Sequence, residues 1–372
     1  MPIDLHPIVP LLIGVLLALL PGVAWRRVVA FAAPVAALAL LWCIQPVAGD
    51  LPAMPLDLPT ASVLLSLAPQ HITPIGWLFA LAFALYATLV AIYSWNDTGT
   101  ASRAATLGQA AGGIGVSLVT NYLALYFYWE LLTVSSLVLI WLGGTKGSRG
   151  AGFRYLMFHL LGGLLLIGGF IVEVLQTGDM ALRPLQPTTP QAWLILAGLV
   201  INAGLPPLHA WLPDAYPRAT IYGTVVLAAF TTKSAVCVLA RLFPGAEVLV
   251  WGGAIMAVFG VAMAMLENDI RRLLSYHIIS QAGFMVCGVG MGTDMAINGA
   301  SAHAVSHIFY KGLLMMSAGA VIYATGRGRL SDLGQLAGPL RLTLVFYMIG
   351  AFSISGVPLF NGFISKSMVV SA

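Results

Sequence analysis

Three ionisable groups stand in register on one stretch of the chain. His303, His307 and Lys311 recur at i, i+4 and i+8 within Ala-His-Ala-Val-Ser-His-Ile-Phe-Tyr-Lys, which puts them along one face of a helix. Neutral imidazole accepts a proton on one nitrogen, donates from the other, and titrates nearest neutral pH. A file of such groups can hand protons along or across a membrane. Two histidines four residues apart also suit a metal, but no Glu or Cys flanks them, so no metal is expected. The blander alternative is a pair of core histidines satisfied by neighbouring helices.

Three further charges fall inside apolar runs. Lys233, Lys366 and Glu130, the last in Phe-Tyr-Trp-Glu-Leu-Leu, lie far from any charged flank. A lysine at the centre of a membrane helix costs roughly 2.5–3.5 kcal/mol on insertion scales. Residues this deep must pair, neutralise or face water. Burial disfavours the charged form of lysine and glutamate alike, and a nearby opposite charge restores it. Such a pair can switch protonation as its partner moves, which is what a proton relay requires. The structural alternative is an ion pair stapling two helices, for which a single pair would suffice. Asp214, in Trp-Leu-Pro-Asp-Ala, reads as a helix cap or salt-bridge partner at the membrane edge, and His159 as a core histidine or a relay member. The pairs Gly162–Gly163 and Gly168–Gly169 read as close helix packing.

The elements that hold these residues follow from composition. Hydrophobic residues make up 59% of the 372, charged residues only 8%, and mean hydropathy is +0.93. With 17 Lys+Arg and 13 Asp+Glu, the chain cannot cover the surface of a soluble enzyme. Its net charge of +4 is too small and scattered for a nucleic-acid footprint. No phosphate-binding glycine motif opens a helix. Cys43, Cys237 and Cys287 are far apart in apolar stretches and read as buried small hydrophobes. The remaining class is an all-α, polytopic membrane helix bundle.

At about 20 apolar residues per span, about twelve candidates appear, near 6–25, 28–46, 74–95, 105–120, 122–142, 152–175, 192–212, 219–243, 246–266, 273–291, 296–324 and 342–372. The runs are continuously apolar, unlike the alternating strands of an outer-membrane barrel. The opening Met-Pro-Ile-Asp-Leu-His lacks a basic segment, so the first run is expected to be retained as a span. If spans alternate, 12 of the 14 basic residues outside the interior fall on the side reached after the first span. That side is then cytoplasmic and the N-terminus outside. The seventh span carries Gly204, Pro206 and Pro207, and the twelfth Gly356 and Pro358. Proline removes an amide donor, so both spans are expected to be interrupted, as kinks or as the broken helices of a midplane site.

The motifs, taken in series, resemble the antiporter-like membrane subunits of respiratory complex I, Mrp-type cation/proton antiporters and membrane-bound hydrogenases. They are Tyr-Trp-Glu-Leu-Leu at 128–132, Pro-Pro-Leu-His-Ala-Trp-Leu-Pro-Asp-Ala at 206–215 and Thr-Lys-Ser-Ala at 232–235. Asn-Asp-Ile-Arg-Arg-Leu-Leu-Ser-Tyr at 268–276 and Ile-Ser-Gln-Ala-Gly-Phe at 279–284 follow. His-Ala-Val-Ser-His-Ile-Phe-Tyr-Lys-Gly-Leu-Leu at 303–314 and Ser-Gly-Val-Pro-Leu-Phe-Asn-Gly-Phe-Ile-Ser-Lys at 355–366 complete the set. The resemblance covers residues 105–372 and implies accessory helices over 1–104, a first five-helix repeat over 105–245 and an inverted second repeat over 246–372. Broken helices 7 and 12 belong to that pattern. It also implies that Glu130, Lys233, Lys311 and Lys366 carry the proton path, with His303 and His307 as the family's histidine pair.

Two departures stand out. Asn202 occupies the place of the family's seventh-span lysine, so Glu130 lacks its usual cationic partner there, and Arg-Ala-Thr-Ile at 218–221 replaces Ala-Pro-Thr-Pro. Both put the first half-channel in question. The family runs to about fourteen spans, so the second repeat reads as unfinished, to be closed by residues downstream or by a partner.

The resulting expectation is a proton-translocating subunit of a multi-subunit Mrp-type or complex I-like assembly, with sodium as the candidate exchange ion. It would lie in the bilayer of a bacterial inner membrane beside other integral membrane subunits, with no cofactor and no nucleic acid. Two other readings stand beside it. One is the proton-pumping module of a redox enzyme, such as an NADH:quinone oxidoreductase or hydrogenase, whose electron chemistry a partner would carry. The other is a non-conducting scaffold that kept the fold.

Overall fold

Helix ends in this chain are set by local chemistry, and two long helices show it most fully. The structure, a computed structural model, describes residues 6–47, 49, 51, 54 and 72–372, so residues 1–5 of the opening lie outside it. Thr145 accepts from the amide of Ser148 and starts a helix, Lys146–Thr177, that Gly178 ends in a left-handed conformation (φ 69°). Thr293 accepts from the amide of Ala296 and starts Asp294–Thr325, which Gly326 ends in the same way (φ 69°). Each helix is 32 residues long, about 48 Å, and overshoots the hydrocarbon core of a bilayer.

Among the described residues the elements are helical and no strand forms. In chain order they are α1 (Val9–Ala18), α2 (Val23–Trp42), α3 (Pro74–Tyr93), α4 (Thr100–Leu118), α5 (Tyr122–Trp141), α6 (Lys146–Thr177), α7 (Pro190–Ala203) and α8 (Trp211–Ala215). Then follow α9 (Ile221–Leu227), α10 (Phe230–Leu242), α11 (Glu247–Met265), α12 (Ile270–Met291), α13 (Asp294–Thr325), α14 (Arg341–Ser355) and α15 (Asn361–Val370). Among the described residues eight helical segments are long and apolar enough to cross a membrane, α9 and α10 counting as one. α1, α7 and α14 are shorter apolar helices.

Three candidate spans are divided. The seventh stops at Ala203, where Gly204 takes a left-handed turn (φ 85°), and resumes as α8. The twelfth splits into α14 and α15 around Gly356 and Pro358. The eighth, read as one run over 219–243, breaks at Ala228–Ala229 without glycine or proline.

The loops gather at two ends. At one end Arg154 and Arg218 pair with Asp214, Arg271 donates to the carbonyl of Ala219 (3.0 Å), and Arg27 lies over the Trp95 ring. At the other end the Leu185 amide donates to Leu242. Arg241 is half-buried there and donates to the carbonyls of Ser117 and Val119, at the end of α4. Those carbonyls have no helical donor, so a guanidinium can be accommodated at that depth.

Burial separates core from rim. The best apolar window of Ile221–Leu242 is 94% buried, against 28% in α11. Phe153, Leu160 and Leu164 of α6 and Trp251, Ile255 and Val258 of α11 face outward, as lipid-facing positions do. Where α11 and α12 meet, side chains are missing: a Cβ on Gly283 would come within 2.5 Å of the Ala257 nitrogen, the close approach that small residues permit. Cys237 is buried and Cys287 half-buried, but Cys43 follows the last turn of α2 and is exposed, which corrects the expectation for it.

One succession occurs twice at an interval of 148 residues. Asn121, before α5, bridges antiparallel to Ala181, beyond α6; Asp269, before α12, bridges to Arg329, beyond α13. Thr145 and Gly178 bound α6 as Thr293 and Gly326 bound α13. The first bridge lies at the Arg241 end, and the second at the end that holds Arg271. The same interval carries His159 onto His307, Gly163 onto Lys311 and Thr133 onto Gln281.

Candidate functional site

The centre of the bundle holds side chains that lipid-exposed helices exclude. Lys233, His303, His307 and Lys311 are fully buried, and Glu130 and Lys366 partly. The ion pairs found among the described residues lie at the two ends and involve none of them. No carboxylate therefore staples these lysines in place.

Two lysines are held by backbone. Lys233, in the first turn of α10, donates from Nζ to the Ala228 carbonyl at 2.7 Å and to Thr232 Oγ1 at 3.0 Å. That carbonyl sits at the break between α9 and α10. Lys366 of α15 donates to the carbonyl of Ile354 in the last turn of α14, across the second break, and its Nζ lies 5.5 Å from the centre of the Phe284 ring. Helix termini leave carbonyls without donors, and each amine takes one.

α13 supplies the file between them. His303 exchanges a hydrogen bond with Ser365 Oγ through Nδ1 (3.0 Å) and another with Gln281 Oε1 through Nε2 (3.2 Å). Tyr310 donates to the same Gln281 oxygen at 3.2 Å. The His303 and His307 rings are 6.3 Å apart, and His307 is 5.1 Å from Tyr310. Both nitrogens of His307 and the amine of Lys311 have no hydrogen-bond partner. His303 is thus fixed to α12 and α15, whereas His307 and Lys311 are free to accept a new partner.

The first half is built differently. Glu130 Oε1 has no partner and fills the space beside Gly163, where a Cβ would collide with it. Gly163 thus seats a carboxylate as well as easing helix packing; Gly162 does the packing, against the Gly198 carbonyl of α7. Asn202 bonds not to Glu130 but to His159 Nδ1. The His159 ring packs 3.8 Å from Tyr155 and 4.5 Å from Trp211. Asp214 is a salt-bridge partner, with Arg154 Nε at 2.8 Å and Arg218 also bound to it.

Sequence reasoning assigned no role to Gln281, Tyr310 or Ser365, although all three stand inside quoted motifs. It also passed over His277 of α12, which interacts electrostatically with Lys311 and Lys366. His277 lies one turn before Gln281 on the face turned toward α13, a signal visible in the spacing.

Residues 119–372 match the family described as NADH:quinone oxidoreductase/Mrp antiporter, TM. The chain is 32% identical over 284 residues to a Na(+)/H(+) antiporter subunit of Alkalihalophilus pseudofirmus, covering 70% of this chain and 57% of that protein. It is 31% identical over 281 residues to an NADH-quinone oxidoreductase subunit of Desulforudis audaxviator, covering 70% and 56%. A chain in the structure of the Mrp complex from Dietzia sp. DQ12-45-1b superposes with a TM-score of 0.83 at 26% identity, over 97% of this chain and 43% of that one. The match thus spans little more than half the length of the two sequence relatives.

Proposed function

The chain belongs to the NADH:quinone oxidoreductase/Mrp antiporter transmembrane family, and from that premise we propose that it is a proton-translocating membrane subunit of a multi-subunit Mrp-type or complex I-like assembly. One observation carries the reading. Lys233, His307, Lys311 and His303, all buried, and the half-buried Lys366 form a file of ionisable groups with no carboxylate among their hydrogen-bond partners. Unpaired charge at membrane depth costs several kcal/mol and serves no stapling role. In this proposal a proton reaching Lys311 displaces charge toward Lys233 on one side and toward His303 and Lys366 on the other. The breaks at Ala228–Ala229 and Gly356 are the points where the backbone yields.

The same reading takes residues 1–104 as accessory helices, 105–245 as the first repeat and 246–372 as the inverted second. Bridges of like position at opposite ends of the bundle support that inversion. Other integral membrane subunits are its partners, sodium is the candidate counter-ion, and a bacterial inner membrane with the N-terminus outside is its place.

Purified complex in liposomes, with an imposed pH gradient and a fluorescent pH probe inside, tests the proposal. Lys233→Ala and Lys366→Ala are each expected to abolish proton flux while the complex still assembles. Undiminished flux in both variants would remove the proposal. Adding sodium to the inner buffer separates exchange, which speeds proton flux, from a sodium-independent path.

A further inference from the structure

Between α5, α6, α7 and α10 lies a small cavity lined by Trp129, Leu132, Thr133, His159, Asn202 and Thr231. The centre of a water molecule can occupy about 10 Å³ of it, enough for roughly one water. Two of its lining side chains present polar atoms without a partner, Trp129 Nε1 and His159 Nε2, and a third, Thr231, offers a hydroxyl that the Tyr155 and Tyr216 hydroxyls also approach. All three residues are at least nine-tenths buried. A buried water makes two to four hydrogen bonds, and these atoms supply two donors and an acceptor. The site is therefore shaped and equipped for one bound water.

Asn202 gives the imidazole a direction. With Oδ1 of Asn202 on Nδ1 of His159, Nδ1 carries the hydrogen and Nε2 keeps the lone pair. Nε2 can then accept a proton and return it, with no other bond changing. Thr231 stands two residues before Lys233 in the first turn of α10, and Thr232 bonds to the Lys233 amine. The register of the two long helices places His159 where α13 has His307, each 14 residues beyond its capping threonine. In the second half the file continues to Lys311; in the first that position is Gly163, with the Glu130 carboxylate against it.

We infer that His159 is the proton carrier of the first half, exchanging protons through one bound water with Thr231 and so with the turn that holds Lys233. This rests on the translocation reading above and repairs the half that Asn202 put in question. The titratable groups packed around His159 are Tyr155 on its own helix and, beyond Trp211, Tyr216. Arg154 and Asp214 are paired with each other.

The test uses the complete complex in everted membrane vesicles, following proton uptake from pH 5.5 to 9. His159→Gln keeps a polar side chain without a titratable one, and Thr231→Val keeps the shape without the hydroxyl. Each is expected to slow uptake about tenfold or more, the scale of a lost proton-transfer group. His159→Gln is also expected to flatten the acid limb of the pH profile, which a merely structural role would leave in place. Lys311→Met is run alongside. Wild-type rates and profile in His159→Gln, with Lys311→Met inactive, overturn this inference and leave translocation standing. Wild-type rates in Lys311→Met overturn translocation itself. Should His159→Gln fail to assemble, Thr231→Val decides, and wild-type uptake in it overturns the inference.

Discussion

Substituting methionine for each of the two fully buried lysines should move stability in opposite directions while stopping the same activity. Lys311 and Lys233 are both inaccessible, and methionine matches their unbranched length, so the surrounding packing survives. They differ in what the amine touches. The Lys311 amine has no partner, and an unsatisfied buried polar group costs about 1–3 kcal/mol. Lys311→Met removes that penalty. The Lys233 amine donates at 2.7 Å to Ala228 and at 3.0 Å to Thr232, so Lys233→Met abandons a carbonyl at a helix break and costs about 1–3 kcal/mol. The two variants should therefore be separated by about 2–6 kcal/mol, with wild type between them. Thermal unfolding in detergent, read by tryptophan fluorescence, measures the order, and proton uptake in vesicles should be lost in both. Equal destabilisation of the two variants would refute the argument, because it would mean that Lys311 is bonded as firmly as Lys233.

Three further outcomes follow from named contacts. Gly163→Ala should push the Glu130 carboxylate from its seat and lower proton uptake at normal assembly; unchanged uptake would mean that Glu130 has other room. Gly283→Ala should force α12 from α11, where Ala257 N and Gly253 O would each lie 2.5 Å from the new methyl, costing about 1–3 kcal/mol as a fall of a few degrees in Tm. Partial burial of the Asp179 carboxyl works to raise its pKa, but the Ala181 and Met54 amides and Arg183 outweigh this and hold it below the usual carboxylate range. A depressed carboxyl contributes stability that is present above its unfolded value, about 4, and lost as pH falls through its lower folded value. Hydrogen-exchange protection of residues 178–183, relative to the intrinsic rate at each pH, should fall below about pH 4, and Asp179→Asn should abolish that pH dependence.

Much of this was legible because membranes make polar residues conspicuous. Lys233, Lys311, Lys366 and Glu130 stand out in any apolar run, and proline and glycine mark the breaks after Ala203 and Ser355. The break at Ala228–Ala229 was not legible, since two alanines favour helix. What marks it is the Lys233 amine on the freed carbonyl, a contact that only the folded chain reveals. The bond between His159 and Asn202 links side chains 43 residues apart, and no periodicity rule joins them. The interval that relates α6 to α13 can be read from Thr145, Gly178, Thr293 and Gly326, but only once those residues are known to be caps.

Each clasp between a lysine and a severed carbonyl joins two properties that are usually separate. The atom that would carry charge is also the fastener of a hinge, at Ala228 for Lys233 and at Ile354 for Lys366. A protonated amine grips a carbonyl more firmly than a neutral one does. Discharging either lysine therefore loosens the joint it closes, and recharging tightens it. In the proposed translocation the backbone would then follow the ion without a separate messenger, and stiffness along the bundle would become a function of how many protons it holds.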